Sequence, residues 1–276
     1  TTSVLSDAFI QAPFASSPEY ENCIRSILSS EDIDIFAPIL NDEHLAAQRI
    51  VGDLTFGNLD VWSSELYAKC TDKGFADQFL RNIGVPTPNS IDFLQSEPDR
   101  VCFIKPRNGF GSKGARKISV DELGELSKSE LEGLIVQEVC DGPEVTVDSF
   151  YDVRVDASFA YCRERIETKS GVCTKARVFF DPELAAIARK IGKGLKQRGT
   201  ICFQAMKGQG GWVITDLNVR SGAGTAITCS AGFDVLAAAF ACRTGQGYSR
   251  FVRQIDENEE FIVTRQYAEF VMAHRR

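Results

Sequence analysis

A small parallel α/β domain followed by a larger α+β domain is the fold class the sequence predicts, and three observations predict it. The chain has 276 residues, and at roughly 150 residues per domain that makes about two domains. Helix-like and strand-like segments alternate through the first 66 residues, as parallel α/β units do. From residue 101 onward strand-like runs dominate, several joined by glycine-bearing turns that suit antiparallel pairing.

Residues 17–29 carry helical spacing, with Pro18 near the start and Cys23, Ile24, Ile27 and Leu28 as the apolar positions. Residues 34–38 (DIFAP) read as a short buried strand, and Asn41 or Asp42 can cap a helix through Leu45 and Ile50. The first apolar run is weak for a sheet that normally opens on a strand, and Thr1 stands where a methionine would. An opening βα unit is therefore expected to be missing. A helix follows Thr71, with Phe75, Phe79, Leu80 and Ile83 on one face. Gly84 closes it in a left-handed cap before Pro86 and Pro88. Next come a strand (101–105), a glycine-rich loop (108–114), a strand (115–120) and a polar helix. Residues 134–137 form a strand that turns at Asp141, Gly142 and Pro143. Residues 144–150, 155–161 and 177–180 are further strands. Asp181 and Pro182 start a helix with Leu184, Ile187, Ala188, Ile191 and Leu195 on one face. A hairpin of 200–206 and 212–218 turns around Gly208, Gly210 and Gly211, and 233–242 is the last helix.

Composition excludes several functions. The net charge of −7 disfavours a broad nucleic-acid or anionic-membrane surface. Hydrophobic residues at 43% and charged residues at 25% match an ordinary soluble globular chain. Only two histidines occur, His44 and His274, which removes the HExxH zinc motif and leaves little for a histidine-based triad. The longest apolar run, 235–242, is too short to span a bilayer. No basic-then-apolar leader opens the chain. The nine cysteines include no C-x-x-C pair and mostly sit in apolar stretches, such as Cys102 and Cys202. Free, buried thiols in a reducing cytoplasm are the expectation.

The chemistry concentrates in two places. Residues 109–114 (GFGSKG) match GxGxxG, but a dinucleotide loop needs a helix directly behind it, and ARKISV favours a strand. A glycine loop between antiparallel strands can instead make a flap that offers backbone N–H groups to phosphates. A hairpin without ligand is the alternative. Lys105 enters that loop, and Lys73 sits in the first turn of its helix, where the macrodipole disfavours a cation unless a phosphate is near. A solvated surface lysine is the plainer reading of Lys73. In the hairpin, Asp216 and Asn218 are two residues apart and share a face. Pairing symmetric about position 210 would set Gln204 opposite Asp216. Three such oxygen donors suit Mg²⁺, and Arg220 with the SGAGT loop (221–225) follows; a polar outer face is the alternative.

Taken in order, these segments resemble the ATP-grasp superfamily, nearest its carbamoyl-phosphate synthetase-like and carboxylate–amine ligase branches. The matching stretches are TDKGFADQFLRNIGVPTP (71–88), FIKPRNGFGSKG (103–114), VQEVCDGPEVTVD (136–148), and ICFQA with ITDLNVRSGAGT (201–225). The resemblance implies an ATP-grasp domain at 67–276, two α+β subdomains clasping ATP, with 88–138 as a mobile lid. A partial pre-ATP-grasp α/β domain at 1–66 would precede it. Lys73 and Lys105 would bind phosphates under a lid loop carrying Gly109, Gly111, Ser112 and Gly114. Gln137, Glu138, Val139 and Cys140 would form the adenine hinge, and Glu144 would hold the ribose hydroxyls. Gln204, Asp216 and Asn218 would be the metal ligands for Mg²⁺, with Mn²⁺ as a substitute, and Arg220 with Lys105 the catalytic cations.

The implied reaction phosphorylates a small carboxylate to an acylphosphate, which an amine then attacks. No nucleic-acid or membrane partner is implied, and a homodimer is allowed for. The usual metal pair in the family is two glutamates with an asparagine, so Gln204 and the short Asp216 are departures. They keep open a second reading, a nucleotide-binding module of weak or no turnover. Arg163, Arg165, Lys175 and Arg177 are expected to cluster toward the cleft, which hints at an anionic substrate, with plain surface charge as the alternative.

Overall fold

The structure, a computed structural model, describes residues 6–52, 59–109, 111, 113–169, 172–208 and 210–266. Two compact units divide between Thr71 and Asp72.

In the first unit, α1 (Tyr20–Ser30), β1 (Ile35–Phe36), α2 (Asn41–Gly52), β2 (Asp60–Val61) and α3 (Glu65–Lys69) follow in order. β1 and β2 pair in parallel, Ile35 with Asp60 and Phe36 with Val61. Tyr20, Ala46 and Ile50 form the buried centre, on which Ile24 and Leu28 of α1 pack. The strand expected to be buried over 34–38 is only two residues long and half-buried. Pro38 carries no N–H to extend the ladder, which limits the strand. His44 is fully buried and lies 3.0 Å from Ser63 Oγ, whereas His274 lies outside the described residues.

The second unit opens with α4 (Lys73–Asn82), capped by Asp72, whose carboxylate accepts the N–H groups of Gly74 and Phe75. Gly84 then takes φ +68°, the expected left-handed cap. β3 (Val101–Pro106), β4 (Arg116–Ser119) and β5 (Leu134–Gln137) make an antiparallel sheet in the order β4-β3-β5. Between β4 and β5 stand two short helices, α5 (Val120–Gly124) and α6 (Lys128–Glu132), where one was expected. Each has its own capping box, Ser119 with Glu122 and Ser127 with Glu130, so the chain restarts rather than continues. Ile91, Cys102, Ile104, Ile118 and Leu123 are the core of this small layer.

A six-stranded antiparallel sheet follows, in the order β10-β9-β6-β7-β8-β11. Its strands are β6 (Glu144–Asp152), β7 (Ala157–Lys169), β8 (Val172–Phe179), β9 (Arg198–Gly208), β10 (Gly211–Asn218) and β11 (Glu260–Thr264). β7 runs eight residues past its expected end at 161. The extension, CRERIETK, carries five charged residues in eight and reads as loop in sequence, but its neighbours β6 and β8 supply the ladder. Helix α7 (Pro182–Gly194), capped by Asp181, buries Leu184, Ile187, Ala188 and Ile191. α8 (Thr225–Ser230) and α9 (Val235–Arg243) complete the unit. All nine cysteines are free.

The turn from β5 to β6 passes close to β9. A Cβ on Gly142 would overlap the backbone carbonyl of Lys207, which a side chain cannot yield to. Gly142→Ala should destabilise the fold by about 2 kcal/mol or more, the scale of forced backbone shifts. Thermal denaturation reads this directly; an unchanged Tm would contradict the close approach.

Candidate active site

A cleft of about 590 Å³ opens in the second unit between its two sheets. Its floor is a grid set by strand register. Asp216 pairs with Gln204, Gln204 with Thr146, and Thr146 with Arg163, across β10, β9, β6 and β7. Residues directly opposite one another share a sheet face, so these four side chains form one row. Two residues along lies the row Asn218, Cys202, Asp148 and Tyr161. In the other direction stand Met206 and Glu144, with Arg165 beside them.

The expected opposition of Gln204 and Asp216 depends on an irregularity. From Gly211 to Ile214 the hairpin pairs one residue out of step with the symmetry about 210, and a bulge at Thr215 restores it. The extra residue also frees the Thr215 carbonyl, which accepts Lys105 Nζ at 2.6 Å. A single bulge thus sets both the Asp216–Gln204 pair and the lysine facing it.

The roof is the three-stranded sheet with the glycine loop. Lys105 is half-buried, and desolvation lowers the pKa of its ammonium below the ordinary lysine value. Nearby Asp216 and Asp77 oppose that shift, while Lys73 adds to it. An anion in the cleft would offset the desolvation. Lys73 donates its backbone N–H to the Arg107 carbonyl and its Nζ to the Gly109 carbonyl at 2.7 Å, so it ties the helix start to the loop. Gly109, Gly111 and Gly114 take φ of +122°, +69° and +78°, conformations that favour glycine. Ser112 lies outside the described residues.

At the hinge, Gln137 is buried and donates Nε2 to Asp77 at 3.0 Å. Glu138 gives its N–H to Asn89 and takes Asn89 N–H groups on its carboxylate. The N–H groups of Val139 and Cys140 donate to no described residue, and Cys140 faces the cleft. Glu144 accepts from Gln204 Nε2 at 3.0 Å and pairs with Arg165. Asn218 Nδ2 donates to Asp216 Oδ2 at 2.9 Å. Both amides thus spend their N–H ends on carboxylates, which turns their carbonyl oxygens to the role of acceptor or ligand. Hard oxygen donors with one carboxylate fit Mg²⁺, which takes its other ligands from phosphate and water. Arg220 reaches the Ser221 carbonyl at 2.9 Å and lines the same cleft.

The expected cluster of four basic residues divides. Arg163 and Arg165 line the cleft, but Lys175 and Arg177 do not. Arg177 pairs with Glu164 and Glu260 on the opposite face of the sheet. The reason is strand alternation: odd positions of β7 face the cleft, and Arg177 stands across from the even Glu164. Asp148 and Thr228 were not anticipated: Asp148 pairs with Arg163 in the cleft wall and accepts the hydroxyls of Thr228 and of Thr225, the end of the expected 221–225 loop. A lone acid in the strand run VTVDSFY was the one available signal.

A family model for the ATP-grasp domain matches residues 70–224. The chain is 25% identical over 216 residues to 3-methyl-D-ornithine–L-lysine ligase of Methanosarcina acetivorans, covering 75% of this chain and 55% of that one. It thus spans little more than half the length of that relative. Its fold matches the biotin carboxylase domain of Hydrogenobacter thermophilus 2-oxoglutarate carboxylase, a dimer bound to MgADP and bicarbonate. There the TM-score is 0.73 at 14% identity, over 94% of this chain and 65% of that one. It also matches N5-carboxyaminoimidazole ribonucleotide synthetase of Thermus thermophilus, with a TM-score of 0.62 at 16% identity over 86% and 72%.

Proposed function

Because the chain belongs to the ATP-grasp family, we propose that it is an ATP-dependent ligase that activates a carboxylate as an acylphosphate and joins it to an amine. One observation carries this reading: Lys105 of the roof and Lys73 at the start of α4 line a single cleft with a row of oxygen donors on its floor. Lys73 and Lys105 neutralise phosphates from above. Gln204, Asp216 and Asn218 would hold Mg²⁺, which would shield the charge on the transferring phosphoryl group. A carboxylate oxygen attacks the γ-phosphorus, and the bond to the β-phosphate oxygen breaks to release ADP. The amine nitrogen then attacks the acyl carbon; phosphate leaves, and the nitrogen gives up a proton. The protein's part is positioning and charge neutralisation.

Val139 and Cys140 suit adenine recognition through their N–H groups, with Gln137 and Glu138 holding the hinge, and Glu144 suits the ribose. Arg220 steadies the transferring phosphate or the substrate carboxylate. Residues 88–138 act as the lid over the ATP-grasp domain at 67–276, with 1–66 as the preceding domain. Gln204 at the metal position supports a carbamoyl-phosphate synthetase-like variant of the same chemistry, and Mn²⁺ is a workable substitute for Mg²⁺. Asp216 supports the second reading, a nucleotide-binding module with weak turnover. Nine free cysteines suit the cytoplasm. Among the described residues no helix is long and apolar enough to cross a membrane. A homodimer is the assembly to look for, as the Hydrogenobacter domain is a dimer.

An ADP-release screen with Mg²⁺ against carboxylates, alone and with amino acids, tests the ligase reading. Release that needs both a carboxylate and an amine supports it; nucleotide binding without release under every combination favours the second reading. The lid makes a separate prediction. Amide exchange at Gly109, Gly111 and Gly114 should slow by about tenfold or more when Mg²⁺ and an ATP analogue are added, as backbone N–H groups engage phosphate. Equal exchange in both states would remove the loop from the phosphate site.

A further inference from the structure

Arg220 is placed by no helix or strand. Lys105, Gln204, Asp216 and Asn218 stand on paired strands and Lys73 on a helix, whereas Arg220 lies two residues past the end of β10. On one side its backbone is anchored, because the Arg220 carbonyl accepts the Cys202 N–H at 3.0 Å. Beyond it the chain is held by a relay. Gly222 donates its N–H to Thr225 Oγ1 at 2.8 Å, and Thr225 Oγ1 donates to Asp148 Oδ1 at 2.6 Å. A hydroxyl has one proton, and an ionised carboxylate can only accept. The Thr225 proton therefore goes to Asp148, and its oxygen is left to accept from Gly222. The Thr225 N–H returns to the Gly222 carbonyl at 3.0 Å and closes a ring. Thr228 Oγ1 and Arg163 Nε hold the other carboxylate oxygen, Oδ2, at 2.6 and 3.3 Å. Asp148, Thr225 and Thr228 are buried, and none of the three lines the cleft. Packing alone gives no reason for a buried carboxylate, since an apolar side chain fills such space at less desolvation cost.

We infer that Asp148 and Thr225 are positioning residues for Arg220: their relay clips the backbone at Gly222 and so sets where the Arg220 guanidinium enters the cleft. Residues 220–222 are then held at both ends, by Cys202 on β9 and, through Thr225, by Asp148 on β6. Asp148 and Cys202 are direct partners in the sheet, so both anchors stand at one point of it. A Cβ on Gly222 would come within 3.0 Å of Cys202 Sγ, which shows how closely the clipped segment lies on that point. Thr228 shares the carboxylate but not the Gly222 N–H, so it adds stability without setting Arg220. That Arg220 meets a transferring phosphoryl group rests on the ligase reading; the clip itself rests on the hydrogen bonds around Thr225.

The test uses the whole chain and separates positioning from stability. Thr225→Val keeps the shape of the side chain and removes the relay, and Thr225→Ser keeps the hydroxyl. Thr228→Val removes a hydrogen bond to the same carboxylate and leaves the relay intact. Calorimetry compares Mg–ADP alone with Mg–ADP plus aluminium fluoride, a mimic of the phosphoryl group in transfer. Fluoride should tighten nucleotide binding in the wild type. Thr225→Val should cut that gain about ten- to a hundredfold, the scale of a charged hydrogen bond, with Mg–ADP affinity unchanged. Thr225→Ser should restore it, and Thr228→Val should keep it although Tm falls in both valine variants. Added to Arg220→Ala, Thr225→Val should cost nothing more, because effects that act through one side chain do not add. Amide exchange at Gly222 should quicken about tenfold or more in Thr225→Val. If Thr225→Val does not fold, Thr225→Ala serves the same comparisons. An unchanged fluoride gain, an equal loss in Thr228→Val, or a further loss on top of Arg220→Ala overturns the proposal. Equal Gly222 exchange with and without the hydroxyl overturns the clip. A wild type that gains nothing from fluoride, with Gly222 protection still lost in Thr225→Val, would instead defeat the ligase reading and leave the clip standing.

Discussion

Asp216→Asn should abolish Mg²⁺-dependent ADP formation while leaving the fold and adenine binding nearly intact. Asp216 is the only carboxylate in the proposed ligand set, so it supplies that set's only formal negative charge. Asparagine has the same shape and can still sit beside Asn218, whose Nδ2 lies 2.9 Å from Asp216 Oδ2. The substitution therefore removes charge with little change in packing. Loss of partners one shell away from a metal typically costs about 10–100-fold, so loss of a ligand should cost about a hundredfold or more. Asp216→Glu is the informative companion, because a longer carboxylate restores the charge. If Asp216→Asn keeps wild-type ADP production in a Mg²⁺ titration, the metal assignment is wrong. If the wild type is silent and Asp216→Glu turns over ATP, the short acid has weakened the natural site.

Lys105→Ala should weaken Mg–nucleotide binding by about ten- to a hundredfold, the worth of a charge-assisted hydrogen bond. Lys105 is held by the Thr215 carbonyl at 2.6 Å, beside the metal row and under the roof. Burial already disfavours its charge, so a phosphate partner gains more from it than from a solvated lysine. Lys105→Met keeps most of the stem and separates the lost charge from lost packing. Calorimetry with an ATP analogue and thermal denaturation measure the two effects. Unchanged affinity in a folded Lys105→Ala protein would take Lys105 out of the site.

Much of this architecture was legible because it rests on local signals. Asp72, Gly84, Asp181 and Pro182 mark helix ends by chemistry that needs no tertiary context. The parallel pairing of β1 with β2 follows from the alternation of helix and strand. The length of β7 was not legible, since a charged run joins a sheet only when neighbouring strands are there to receive it. Gln204 could be set opposite Asp216 from symmetry, but the bulge at Thr215 that makes it so leaves no mark in the sequence. Arg177 was misjudged for a related reason: its face depends on register with Glu164, and a one-residue shift exchanges the two faces. Arg163 was noticed as a charge, but its burial against Gly224 and Asp148 is a long-range fact.

Oxygen transfer tests the central claim most directly. The first carboxylate that releases ADP should be prepared with ¹⁸O in its carboxyl group and incubated with amine, ATP and Mg²⁺, and the inorganic phosphate analysed by mass spectrometry. Activation as an acylphosphate predicts one carboxylate oxygen in the phosphate released. Phosphate free of the label, with ADP still formed, would contradict it.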